Sequence, residues 1–176
     1  MMNLFERTQP RARHYSLLVV IGIIAGFISA LVKSGWEDIV PPRSPNITPP
    51  PIELLQMFGI DTAHLTYTWL DVSVNWGGNG VHILFSIVFA VLYCVLAEIF
   101  PKTKLLQGAI FGYAVAFGSH YIVFPILGLY APFQWLGFIS ELGGSFLWIW
   151  VIEITRAYLR KRWTGYDRAE VEQLNL

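Results

Sequence analysis

The chain has 176 residues, 55% of them hydrophobic and only 14% charged, with a mean hydropathy of +0.51. Such values exclude an ordinary soluble globular domain and indicate a membrane protein. Twelve basic and twelve acidic residues cancel, no nucleic-acid partner is expected, and the single cysteine, Cys94, excludes an intrachain disulfide.

Arg7, Arg11 and Arg13 precede the first apolar stretch, residues 15–32, which predicts a membrane-spanning helix over about residues 15–34. A signal peptide would also open on basic residues, but this apolar run is longer than a signal core and no small-x-small cleavage site follows it. Within it Gly22, Gly26, Ala30 and Ser34 recur every four residues, a row that lets helix backbones approach closely in lipid. Lys33 stands at the outer end.

Residues 35–79 form a long connector. Pro41-Pro42-Arg43-Ser44-Pro45 and Pro49-Pro50-Pro51 predict extended, polyproline-like backbone. A short helix is expected over residues 51–58, with Thr48 as its cap and Gly59 as its stop. A second is expected over residues 61–75, because Leu65, Trp69, Val72 and Trp76 fall at i, i+4, i+7 and i+11. That helix would lie on the membrane surface or cover the bundle, so the segment reads as a packed connector or as a cap over a pore.

The second span is expected over about residues 80–100, with Asn79 as a candidate cap, His82 near its outer start and Glu98 at its inner end. Lys102 and Lys104 occupy the short turn that follows. The third span, about residues 105–127, carries a second row, Gly108, Gly112, Ala116 and His120. Pro125 cannot donate to the carbonyl of Tyr121, so this helix is kinked or opened beside His120. The fourth span, about residues 137–156, has Glu141 near its outer start and Glu153 near its inner end; a basic tail, residues 157–176, follows. Tyr93, Trp148 and Trp150 read as packing and interface aromatics.

Ten of the twelve Lys and Arg residues then lie on one side of the membrane, and only Lys33 and Arg43 on the other. An even number of spans with this bias predicts both termini in the cytoplasm. Glu98 and Glu153 are expected to be neutralised by Lys102, Lys104 and Arg156, and the residues from Arg156 to Arg162 to mark topology and attract anionic lipid.

Counting along the helices sets Lys33, His82, His120 and Glu141 at similar depth, in the outer half of the bilayer. An ionisable group in a span needs a partner or a role, and histidine beside carboxylate titrates near neutral to mildly acidic pH. These four form a candidate proton or polar network. The competing reading has Lys33 and His82 reaching water by snorkelling and the others only holding helices together. No phosphate-binding loop, zinc-protease helix, nucleophile elbow or cysteine pair is present, so neither a catalytic site nor a metal or cofactor is expected.

Several segments together resemble the YagU-like family of small bacterial inner-membrane proteins. They include Asn3-Leu4-Phe5-Glu6, Phe27 to Lys33, Pro41-Pro42-Arg43-Ser44-Pro45, His82 to Ala90, Tyr93-Cys94, Ala97-Glu98, Phe100-Pro101-Lys102, Phe124-Pro125, Gly128-Leu129 and Ser140-Glu141. The resemblance implies a multi-pass inner-membrane protein, linked in the enterobacterial branch to survival of acid stress. The family pattern carries a histidine one turn after the glutamate, where this chain has Gly144, and a longer outer segment.

The expectation is therefore an all-α, polytopic membrane protein of four transmembrane helices with both ends inside and a long periplasmic segment containing short helices. Its partner is the lipid bilayer, and it is expected to be a homo-oligomer that senses or conducts protons. The alternatives are an adaptor and a small-solute channel or transporter.

Overall fold

The computed structural model describes residues 5–129 and 133–176; Asn3 and Leu4, which contribute to the resemblance, lie outside them. Among the described residues, four segments are long and apolar enough to cross a membrane. The first two are α1 (Tyr15–Ile39) and α3 (Trp76–Ile99). The third joins α4 (Ala109–Gly118) through a π turn (Ser119–Val123) to α5 (Phe124–Ile126), and the fourth is α6 (Trp135–Thr164). Hydrocarbon offers no partner to backbone amides, so apolar runs of this length close their hydrogen bonds internally as helices.

The small-residue rows set the packing. A Cβ added to Gly22 would sit 2.5 Å from the Cα of Val91, and one on Gly26 2.5 Å from the Cα of Ile87, so α1 lies backbone-to-backbone on α3. Ala30 continues this buried face. Along the second row, Gly108, just before α4, faces the Tyr93 hydroxyl and Ile149, Gly112 faces Ile149, and Ala116 is buried. The two rows therefore serve two different pairings, α1 with α3 and α4 with α6. A second face of α1 meets α6, where the Trp36 indole donates to the Ser140 carbonyl at 2.9 Å and the Ser140 hydroxyl donates to the Val40 carbonyl.

The core between these helices contains Leu18, Ile21, Ala25, Ala90, Tyr93, Cys94, Trp148, Ile149 and Ile152. The outer faces keep large apolar side chains exposed, among them Val20, Ile24, Phe27 and Leu31 on α1 and Leu84, Val88 and Leu92 on α3. Such continuous apolar surface fits a lipid environment.

The connector departs from expectation in three places. The short helix α2 (Pro50–Met57) is present, and Gly59 ends it with φ +74°, but Pro49 rather than Thr48 holds the cap position. Asn75, not Asn79, caps α3: its Oδ1 accepts from the Gly78 amide at 2.7 Å. The expected second helix is instead a 3-10 turn (Thr62–Leu65) followed by the antiparallel strands β1 (Thr66–Trp69) and β2 (Val72–Asn75). Thr66-Tyr67-Thr68-Trp69 and Val72-Ser73-Val74-Asn75 alternate with period two and are rich in β-branched and aromatic side chains, which suits a strand better than the longer-range helical spacing. Leu70 and Asp71, at φ +47° and +64°, make the tight turn. The fold is thus mostly helical with one hairpin.

At the opposite end of the bundle the chain closes on itself. α6 runs on to Thr164, Gly165 stops it at φ +85°, and α7 (Ala169–Glu172) folds back. Arg160, fully buried, meets both carboxylate oxygens of Glu98 at 2.9 Å and Glu172 at 2.8 Å, and donates to the carbonyls of Ala12 at 3.0 Å and Tyr166 at 2.8 Å. Glu98 also accepts from the His14 amide at 3.1 Å. Glu153 binds Arg156, as expected, and accepts from the Tyr93 hydroxyl at 2.9 Å. The partner of Glu98 is thus Arg160 rather than a turn lysine, and Lys104 pairs with Glu170 at 2.8 Å. Arg156 and Arg160 are buried instead of lying on lipid headgroups; Lys161 and Arg162 remain exposed. These contacts draw the N-terminal segment, the α3–α4 turn and the C-terminal segment to one end.

Candidate functional site

Lys33 lies near the last turn of α1, four residues before Glu37, whose carboxylate is 3.3 Å away. Its main partner is across the bundle: Lys33 Nζ reaches Glu141 Oε1 at 2.8 Å. Glu141 is buried near the start of α6, and Ser145, one turn later, donates to the same oxygen at 2.8 Å. A buried carboxylate so placed is stable only because a cation and a hydroxyl replace the lost water.

His120 approaches from the third span. Pro125 lacks an N–H, so the regular ladder fails there; the Phe124 amide instead bonds the Ser119 carbonyl five residues back, and Ser119–Val123 form the π turn. That turn includes His120, whose Nε2 lies 3.6 Å from Glu141 Oε1. His82 is on another wall, its Nδ1 3.3 Å from the Ser34 hydroxyl. The structure thus gathers Lys33, His120 and Glu141 around one carboxylate oxygen. It sets His82 on the same cavity but against Ser34.

All four line a cavity of about 380 Å³ whose apolar walls include Phe85, Phe124 and Trp148. Arg43 and the prolines that open α2 also border it, so the connector covers its mouth. A smaller cavity of about 110 Å³ shares Arg43, His120 and Glu141. Spacing alone signals two of the missed residues, since Glu37 and Ser145 each lie four positions from a residue already singled out. Arg43 carries no such signal, because its place depends on how the connector folds.

The cavity has a floor. Trp148 donates its indole N–H to Ser86 Oγ at 2.7 Å, Ser86 donates to the Gly26 carbonyl at 2.7 Å, and Ser29 lies 3.1 Å from Ser86. Beneath it Ala25, Ala90, Cys94, Ile149 and Ile152 pack with no exposure, and only then come Tyr93, Glu153 and Arg156. An apolar layer therefore separates the polar cluster at the cavity from the one around Glu153 and Arg156. Gly144 touches this site: a Cβ there would lie 2.9 Å from Trp36 Cδ1 and 3.5 Å from Lys33 Nζ. The histidine of the family pattern would stand beside Lys33 and require Trp36 to move. Among the described residues, no group of three or more His, Cys, Asp or Glu side chains is disposed to hold a metal ion.

Comparison with known proteins gives a family and a relative. The family model described as "Protein of unknown function (DUF1440)" matches residues 27–154. The curated "Inner membrane protein YagU" of Escherichia coli (strain K12) is 41% identical over 199 aligned residues, covering 97% of this chain and 97% of that protein. No solved structure matches.

Proposed function

The chain belongs to the DUF1440 family, and we propose that its outward-facing cavity senses protons through Lys33, His120 and Glu141. The protein is a multi-pass protein of the inner membrane. The excess of Lys and Arg at the end that holds both termini favours a cytoplasmic location for that end and a periplasmic one for the cavity.

One observation carries the reading: Glu141 Oε1 is shared by Lys33, Ser145 and the nearby His120 at the wall of a cavity. Histidine is the side chain whose charge changes between about pH 5 and 8. A proton gained by His120 places a second cation beside the carboxylate that holds Lys33, and the competition loosens α1 from α6. The broken third span supplies a helix end able to follow. The apolar layer below Trp148 favours sensing over conduction, because a proton wire needs polar groups or water throughout. This role is non-enzymatic, and it accords with the acid-stress physiology that the resemblance implies.

Hydrogen exchange of the reconstituted protein, read on residues 33–43 and 119–141 across pH 5 to 8, tests it. Acidification is expected to lower protection, after correction for the slower intrinsic exchange at low pH, in wild type but not in His120→Ala. An unchanged pH response in that variant refutes the proposal. Proton flux through liposomes separates the two modes, since flux in wild type that Glu141→Gln abolishes would establish conduction instead.

A second reading, a small-solute site, is favoured by the size of the cavity, which falls in the range of ligand pockets, and by its charged groups of both signs set among aromatic walls. Association of copies is proposed through faces other than the glycine rows, which the α1–α3 and α4–α6 contacts already occupy. A monomeric mass in mild detergent would refute it.

A further inference from the structure

The hairpin is amphipathic in a way that its sequence conceals. Its register pairs Tyr67 with Val74 and Trp69 with Val72, while Thr66 pairs with Asn75 and Thr68 with Ser73. Directly opposed residues share a face of a two-stranded sheet. One face is therefore Tyr67, Trp69, Val72 and Val74, and the other Thr66, Thr68, Ser73 and Asn75. The apolar face is left open: Trp69 is 69% exposed and Val72 61%. Leu70 at the tip is 85% exposed and holds a left-handed backbone at φ +47°, where asparagine or glycine is the usual choice. A large apolar side chain kept at a strained, largely exposed position implies an environment that rewards it. Isolated two-stranded hairpins are marginal in water, so an open face of this kind requires a cover.

The connection to α3 identifies the cover. β2 ends at Asn75 and α3 begins at Trp76 with no intervening loop. Trp76, in the first turn of α3, is exposed, as are Leu84, Val88 and Leu92 further along the helix, the large apolar surface α3 leaves open for lipid. The hairpin is thus tethered at the outer boundary of the hydrocarbon. Four-residue strands reach only about 13 Å, and the headgroup layer is roughly 5–7 Å deep on each side. Tyr and Trp are the side chains that favour that layer, with an apolar body and a polar handle.

We propose that the Tyr67, Trp69, Val72 and Val74 face of the hairpin, with Leu70 at its tip, seats in the outer interfacial layer of the bilayer that α3 crosses, as a lipid anchor for the connector over the cavity. The polar face, with Thr68 and Ser73, turns to water. The anchor stands apart from the proton-sensing reading, since none of its residues lines the cavity.

An environment-sensitive fluorophore on Leu70→Cys, compared with one on Thr68→Cys in a Cys94→Ala background, tests this in liposomes at low protein-to-lipid ratio. The Leu70 probe is expected to be quenched several-fold more by lipid-borne nitroxide than by aqueous iodide, with the order reversed at Thr68. Equal iodide access at both sites overturns the proposal. So does protection of Leu70 that grows with protein-to-lipid ratio, which would assign the face to a second copy. A measurement that keeps Cys94 compares wild type with Trp69→Phe for tryptophan quenching by brominated lipid. The variant is expected to lose part of the quenched emission, and no loss refutes the anchor.

Discussion

Arg160→Met is expected to be among the most destabilising single changes in the half of the protein that holds both termini. The side chain is fully buried, its fork meets two oxygens of Glu98 and one of Glu172, and it donates to the carbonyls of Ala12 and Tyr166. Methionine fills much of the volume and supplies none of these bonds. Glu98, itself buried, would be left with the His14 amide and, among the described residues, no cation at 4.0 Å or less. Removing one partner of a buried ion pair costs about 3–5 kcal/mol. At about 1.4 kcal/mol per tenfold, that lowers the folding equilibrium by roughly two to three and a half orders of magnitude. Glu98→Gln together with Arg160→Met removes both buried charges, so the double variant is expected to be more stable than Arg160→Met alone. Glu172, also buried, would keep the His14 ring nitrogen 2.9 Å from its Oε1. Unfolding in mixed micelles, run as a double-mutant cycle, measures the coupling. A single variant within about 0.5 kcal/mol of wild type, the range of an ordinary surface substitution, refutes the reasoning. So does a double variant as unstable as the sum of the two singles.

The glycine rows give a contrast on one helix. Gly26→Ala places a methyl 2.5 Å from the Ile87 backbone and is expected to cost about 1–3 kcal/mol by overpacking, whereas Gly35→Ala meets nothing within 4 Å and should gain about 0.5–1 kcal/mol. Thermal unfolding in detergent measures both, and equal effects would refute the close approach of α1 and α3. Pro125→Ala restores the missing donor to the Tyr121 carbonyl and should convert the π turn to α-helix, stabilising the third span while moving His120 away from Glu141. Hydrogen exchange across residues 119–127 reads the first effect and loss of the pH response the second; a variant that keeps that response would separate the kink from the site.

The four spans, their near positions and the convergence of Lys33, His120 and Glu141 on one layer were legible in the sequence. Bilayer thickness fixes helix length, and rise per residue fixes depth, so both are local properties of the chain. The break beside His120 followed equally from one residue, since Pro125 removes a donor whatever the surroundings, but its form as a π turn came only from the structure. The hairpin was not legible, because Leu65, Trp69, Val72 and Trp76 satisfy a helical spacing while the residues between them satisfy an alternating one. Tertiary context decided between them: Asn75 caps α3 and holds the Thr62 carbonyl at 3.1 Å.

Partner choice was likewise beyond the sequence. Nothing local distinguishes Arg160 from Lys102 or Lys104 as the cation for Glu98, a residue 62 positions earlier. The glycine rows announce close approach without naming α3 or α6 as the helix approached. The sequence alone determined which segments cross the bilayer and which end gathers the positive charge, because each depends only on the chain's own length and composition against a slab of fixed thickness. Only the tertiary structure decided how the spans pair, that Arg156 and Arg160 are buried clamps, and that Glu141 is shared at a cavity wall, because pairing and burial are properties of distant residues brought into contact.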